Sequence, residues 1–166
     1  MGMTGNYFRT SQNNAMDIRE GKYSLADLIY DEAQEGNIID IDKAWHAIQF
    51  TLTGCPYGGD DDNIFSKLVL SGNVLTDDEK ELAEFSAMLI SVDDVKKLSE
   101  ALNKLTEEEF RNNFDIDDML ENDIYPIMED EDEDGFFEYV WGWLGELKEF
   151  MIKASGENQV VIFYIS

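Results

Sequence analysis

From Gly135 to Ser155 the sequence runs without proline, placing Phe136, Val140, Trp143, Leu147, Phe150 and Ala154 at three- and four-residue steps. That is the period of an α-helix. Phe137, Trp141 and Leu144 widen the stripe into a broad apolar surface, so this helix must be largely enclosed by other elements. Gly142 and Gly145 lie inside it. Glycine weakens a helix interior, and close approach of a neighbouring element is the common reason to keep it, so a tight crossing is expected there. Gly156-Glu-Asn158 then breaks the period, and Gln159 to Ser166 is a β-branched and aromatic run that reads as a strand. The chain therefore needs both helix layers and a sheet.

The remaining segments fit one α+β domain over residues 1–166. It is mostly helical, with a small sheet that includes the N-terminal and C-terminal strands. Met3 to Arg9 reads as a short strand, and Ser11 as the cap of a helix that ends at Gly21. Ser24 with Asp27 is a capping-box pattern; Leu25, Leu28, Ile29 and Ala33 form an apolar face that Gly36 closes. Cys55 to Asn63 is rich in turn residues and has no period, hence loop. Ile64 to Leu70 fits a buried strand or a helical turn equally well. Thr76 with Glu79 starts a short predicted helix through Leu82 and Phe85, and Met88 to Ile90 reads as a strand. Ser91 and Thr106 cap two further helices, the first carrying Val95, Leu98, Leu102 and Leu105. From Asp115 to Asp134 the chain is acidic, contains no Lys or Arg, and is interrupted at Tyr125-Pro126. It is expected to be a loop on the domain.

One segment carries an unusual polar residue. Asp40 stands where an N-cap belongs and Gly54 where a left-handed C′ residue belongs, predicting a single helix between them. Ile41, Ala44, Trp45, Ile48 and Leu52 form one apolar face, with Ala47 and Phe50 on another. Between them runs a polar stripe of Asp42, His46, Gln49 and Thr53. His46 is the only histidine. Its near-neutral pKa makes it the candidate proton carrier, and a ligand pocket built on it would use Trp45, His46, Gln49 and Tyr125.

The charge excludes several functions. With 37 acidic and 12 basic residues the formal net charge is −25. Phosphate backbones and anionic membranes need clustered cations, and the only adjacent basic pair is Lys96-Lys97. Neither nucleic acid nor membrane is an expected partner; a basic protein is. A single Cys55 and the lack of a signal-like apolar segment predict a reducing cytoplasm.

Metal and nucleophile chemistry find little support. Asp130-x-Asp132-x-Asp134-Gly135 matches the first half of a calcium-binding loop, so Asp130, Asp132 and Asp134 are the candidate Ca²⁺ ligands. The twelfth position, which should be a bidentate Glu, is Trp141. No cofactor is expected otherwise. His46 and Cys55 are lone residues about two and a half helical turns apart, too few for a tetrahedral zinc shell and weak as a catalytic pair. Gly58-Gly59 is followed by three aspartates, which would repel a phosphate.

Taken together, Asp40-Ile-Asp-Lys-Ala-Trp-His46 running to Leu52-Thr-Gly54, Val92-Asp-Asp-Val95, Phe114-Asp115, Ile124-Tyr-Pro126 and the closing helix and strand resemble the YfbM-like family of small bacterial proteins. The resemblance covers most of the chain and implies a single α+β domain in a bacterial cytoplasm, with no known activity. Where that family tends to have a Gly-rich segment after the Trp-His helix and a Trp after Tyr-Pro, this chain has Asp60-Asp-Asp-Asn63 and Met128-Glu-Asp. The leading expectation is a non-enzymatic acidic interaction module, immunity-like or inhibitory towards a basic partner. The alternatives are an enzyme or small-ligand binder at the His46 pocket, or a Ca²⁺-binding protein.

Overall fold

A computed structural model describes residues 2–76 and 87–166. The helix expected through Leu82 and Phe85 lies outside them. Along the chain, β1 (Gly5–Thr10) leads into α1 (Gln12–Arg19) and α2 (Leu25–Ile29), then β2 (Ile38–Asp40) and α3 (Trp45–Thr53). After β3 (Met88–Ile90) come α4 (Val92–Lys104), α5 (Glu107–Asn112), α6 (Ile116–Glu121), α7 (Glu133–Gly156) and β4 (Val160–Ile165). The fold is mostly helical, with one four-stranded antiparallel sheet in the order β2-β1-β4-β3. The strands from the two ends of the sequence are its central pair, in register from Gly5 opposite Ile165 to Thr10 opposite Val160.

Helices cover the sheet on both faces. Tyr7, Val161, Phe163 and Ile165 point into the larger core with α3, α4 and α7, while Phe8, Val160, Ile162 and Tyr164 point into a smaller one with Ala15, Ile18 and Leu25. Every residue of β1 and β4 is therefore buried. That is why the last strand reads as an unbroken apolar run: neither face has water to alternate towards.

The capping signals in the sequence are realised. Ser11, Ser24, Ser91 and Thr106 each accept a hydrogen bond from the third amide of their helix, with full capping boxes at Ser24 and Thr106. Elsewhere the boundaries differ. The segment after Ser24 is helical only to Ile29; a 3-10 turn capped by Asp31 follows over Glu32–Asn37. Ile64–Lys67 is a 3-10 turn rather than a strand, and it delivers the buried Leu68, Val69 and Leu70 to the core. The acidic segment contains α6, whose Ile116 and Met119 are buried beneath its exposed carboxylates.

α7 is enclosed as its stripe requires, burying Phe136, Phe137, Val140, Leu144, Leu147, Met151 and Ala154. Its glycines are not crossing points, however. A Cβ placed on Gly142 or Gly145 would meet nothing within 4 Å. Gly142→Ala and Gly145→Ala should each stabilise the fold by roughly 0.5–1 kcal/mol, the usual gain when glycine is replaced in an unobstructed helix. Urea unfolding of each variant measures this, and a loss of stability would mean an unseen contact at that position. Among the described residues no helix is long and apolar enough to cross a membrane.

Candidate functional site

The predicted helix from Asp40 to Gly54 is in fact two structures. Ile38–Asp40 is edge strand β2, pairing Ile39 with Tyr7. Asp40 still caps locally, accepting from the Asp42 amide at 2.7 Å. Asp42 then takes a left-handed φ of 52°, which an α-helix cannot accommodate, so a 3-10 turn intervenes and α3 starts at Trp45. Gly54 ends it with φ 70°, its amide donating to the Phe50 carbonyl.

From Trp45 to Thr51 every residue of α3 is buried, polar ones included. The polar stripe holds the aperiodic loop that follows. Gln49 donates from Nε2 to the Gly58 carbonyl at 2.6 Å and to the Cys55 carbonyl at 3.3 Å, while its Oε1 accepts from the Leu70 amide at 3.4 Å. The Thr53 hydroxyl accepts from the Cys55 amide at 3.1 Å. A loop without secondary structure thus has its main-chain groups satisfied by side chains of one helix.

His46 joins three segments. Its Nδ1 accepts from the Tyr125 amide at 3.0 Å, which leaves Nε2 as the protonated nitrogen that donates to the Pro56 carbonyl at 3.1 Å. The ring stacks on Trp45 with centroids 4.8 Å apart and lies 5.4 Å from that of Tyr57. Only 3% of the residue is exposed. Burial lowers its pKa below 6.5, with the Pro56 hydrogen bond opposing. This geometry selects one neutral tautomer and occupies both nitrogens.

Of the four residues of the expected pocket, Trp45, His46 and Tyr125 are brought together, Trp45 and Tyr125 holding the protein's own N-terminal segment, while Gln49 turns to the loop after α3. Trp45 and Tyr125 stack with centroids 6.0 Å apart. The indole Nε1 donates to the Met3 carbonyl at 3.0 Å, and the Tyr125 hydroxyl accepts from the Met3 amide at 3.0 Å. Cys55 is half-buried, and its carbonyl accepts from Gln49 and Thr53 of the α3 stripe.

The three candidate calcium ligands have separate tasks. Asp132 caps α7, accepting from the Gly135 amide at 2.9 Å; Asp134 pairs with Arg111 at 2.6 Å; Asp130 is exposed. Among the described residues no group of three His, Cys, Asp or Glu side chains is placed to hold a metal ion.

One feature had no sequence signal. A cleft of about 290 Å³ lies beside Tyr125, lined by Asp42, Lys43, Pro126, Phe136 and Tyr139 among others. The Tyr139 hydroxyl donates to Asp42 Oδ2 at 2.8 Å and accepts from the Lys43 amide at 3.1 Å. Burial and the Asp42 carboxylate push its pKa well up. It braces the strained Asp42 turn from a residue 97 positions away, which is why no local pattern announces it.

The architecture defines the class: a small α+β domain in which the buried polar side chains of α3 fasten its own loops. The sequence matches the family described as "Domain of unknown function (DUF1877)" over residues 1–164, and the chain belongs to that family. In fold it is similar to YfbM from Escherichia coli, a protein of unknown function, with a TM-score of 0.73 and 21% identity. The match covers 98% of this chain and 99% of that one. No curated protein matches the sequence.

Proposed function

We propose that this domain is a non-enzymatic interaction module that binds a basic protein partner through its acidic surface, as an immunity-like or inhibitory factor would. The observation that carries this reading is the stretch from Glu107 to Asp134, with 14 acidic residues and one basic one, Arg111. All 14 are exposed. Arg111 pairs with Glu133 and Asp134, and the capping carboxylates Glu109, Asp115 and Asp132 are turned to the amides at their own helix starts. The rest of the face is left with an uncompensated negative field. Such a field accelerates encounter with a positively charged surface and repels nucleic acid and anionic lipid. The occupied nitrogens of His46 favour this reading over catalysis at that residue.

The quadruple variant Asp117→Asn, Glu121→Gln, Glu129→Gln and Asp130→Asn should fold normally, because none of these side chains caps a helix or joins an ion pair. Its association rate with a partner isolated at low ionic strength should fall by about tenfold, and its salt dependence should flatten. A partner held equally well at low and high ionic strength would sink the proposal.

A further inference from the structure

Between α2 and β2 the surface opens into a cleft of about 510 Å³. Ile29 and Ile38 form its apolar wall and are packed on the smaller core. Asp31, Glu32, Glu35 and Asp40 supply the charge, and Tyr30, 77% exposed, stands at its rim. Among the described residues no Lys or Arg forms an ion pair with any of these four carboxylates. Arg9 reaches the Gly36 carbonyl but turns its Nη1 to Glu157 and Gln159.

Two further observations mark this place. The first is β2 itself, a terminal strand of the sheet. Ile41 donates to the Gly5 carbonyl, and Ile39 lies opposite Tyr7. The antiparallel alternation therefore turns the Asp40 amide and carbonyl, and the Ile38 carbonyl, away from the sheet. The second is Tyr164, only 5% exposed. Tyr164, Asn6 and Asp40 sit side by side across three strands and so share one face. Among the described residues the Tyr164 hydroxyl has no hydrogen-bond partner. Burial, with Tyr30 and Asp40 adding to it, pushes its pKa up to about 12.

We propose that this cleft is the docking site for an extended, arginine-bearing segment of a protein partner, which adds to the β2 edge and places its guanidinium among Asp31, Glu32, Glu35 and Asp40. This deepens the interaction reading above and rests on it. The edge supplies main-chain hydrogen bonds, the usual source of affinity in strand addition. The carboxylates offer acceptors for guanidinium N–H groups, and Tyr30 offers a π face. The isoleucine wall suits the methylene stem of the side chain.

The probe is an acetylated and amidated peptide alternating valine and arginine, titrated into the whole domain at low salt and followed by amide chemical shifts. Saturable binding that perturbs the Asp40 amide is expected. Glu32→Gln with Glu35→Gln should weaken it by about tenfold, and Tyr30→Ala by about fivefold. Glu146→Gln with Glu149→Gln removes the same charge from exposed positions on α7 and should change it by less than about twofold. Equal loss from both double variants overturns the cleft but leaves the acidic-module reading standing. Equal binding of a peptide with glutamine in place of arginine, or no binding of the arginine peptide, also overturns it. The salt dependence of whole-partner binding tests the broader reading separately.

Discussion

Gly5→Ala is expected to destabilise the protein by about 3 kcal/mol, although it adds a single methyl group. A Cβ on Gly5 would sit 2.7 Å from the Trp45 Cβ and 3.0 Å from its ring. Neither side can retreat. Gly5 is in register with Ile165 in the central strand pair, and Trp45 is 1% exposed, hydrogen-bonded to Met3 and stacked on Tyr125. Overpacking of a filled core typically costs about 1–3 kcal/mol, and the upper end applies when the obstacle is a fixed backbone and an immobile ring. Chemical denaturation compares the variant with wild type; a loss below about 1 kcal/mol would show that the strand can shift. The tight approach the sequence suggests at Gly142 and Gly145 is thus found at the other end of the chain.

His46→Ala should cost a similar amount, about 3 kcal/mol, because it leaves the Tyr125 amide and the Pro56 carbonyl without partners and opens a gap between Trp45 and Tyr57. The wild-type residue should also impose a pH dependence. Its folded pKa lies below the ordinary 6.5 because burial disfavours the cation. As the pH falls below 6.5, the unfolded chain takes up a proton that the folded chain refuses, and stability declines until the lowered folded pKa is reached. Above 6.5 the contribution is constant. The stability difference between wild type and His46→Gln should therefore shrink between pH 7 and pH 5, by at most about 1.4 kcal/mol per pH unit. A difference that stays flat across this range would mean that the ring accepts a proton while folded.

The legible parts of the sequence were those decided within a few residues. Ser11, Ser24, Ser91 and Thr106 bond to amides three positions on, and the stripe on α7 repeats every turn. What could not be read depends on distant partners. α3 begins at Trp45 because Asp42 is held in a left-handed turn by Tyr139, 97 residues away. The same applies to the site. The polar stripe of Asp42, His46, Gln49 and Thr53 was visible as a pattern, but its meaning lay in its partners. His46 bonds to residues 10 and 79 positions away, and Gln49 reaches Leu70. A buried imidazole that fastens loops and one that carries protons look alike in sequence.

The strand pairing has a consequence for how the molecule is made. β1 occupies the middle of the sheet, yet the partner that runs along its whole length, β4, is separated from it by nearly the entire chain. On a ribosome, Gly5–Thr10 is made long before Val160–Ile165. Contacts this remote raise the contact order and must overcome a large loop-closure entropy before they yield anything. Until translation reaches β4, the apolar residues of β1 face water along that edge, so this is the window in which the nascent domain is most exposed to aggregation.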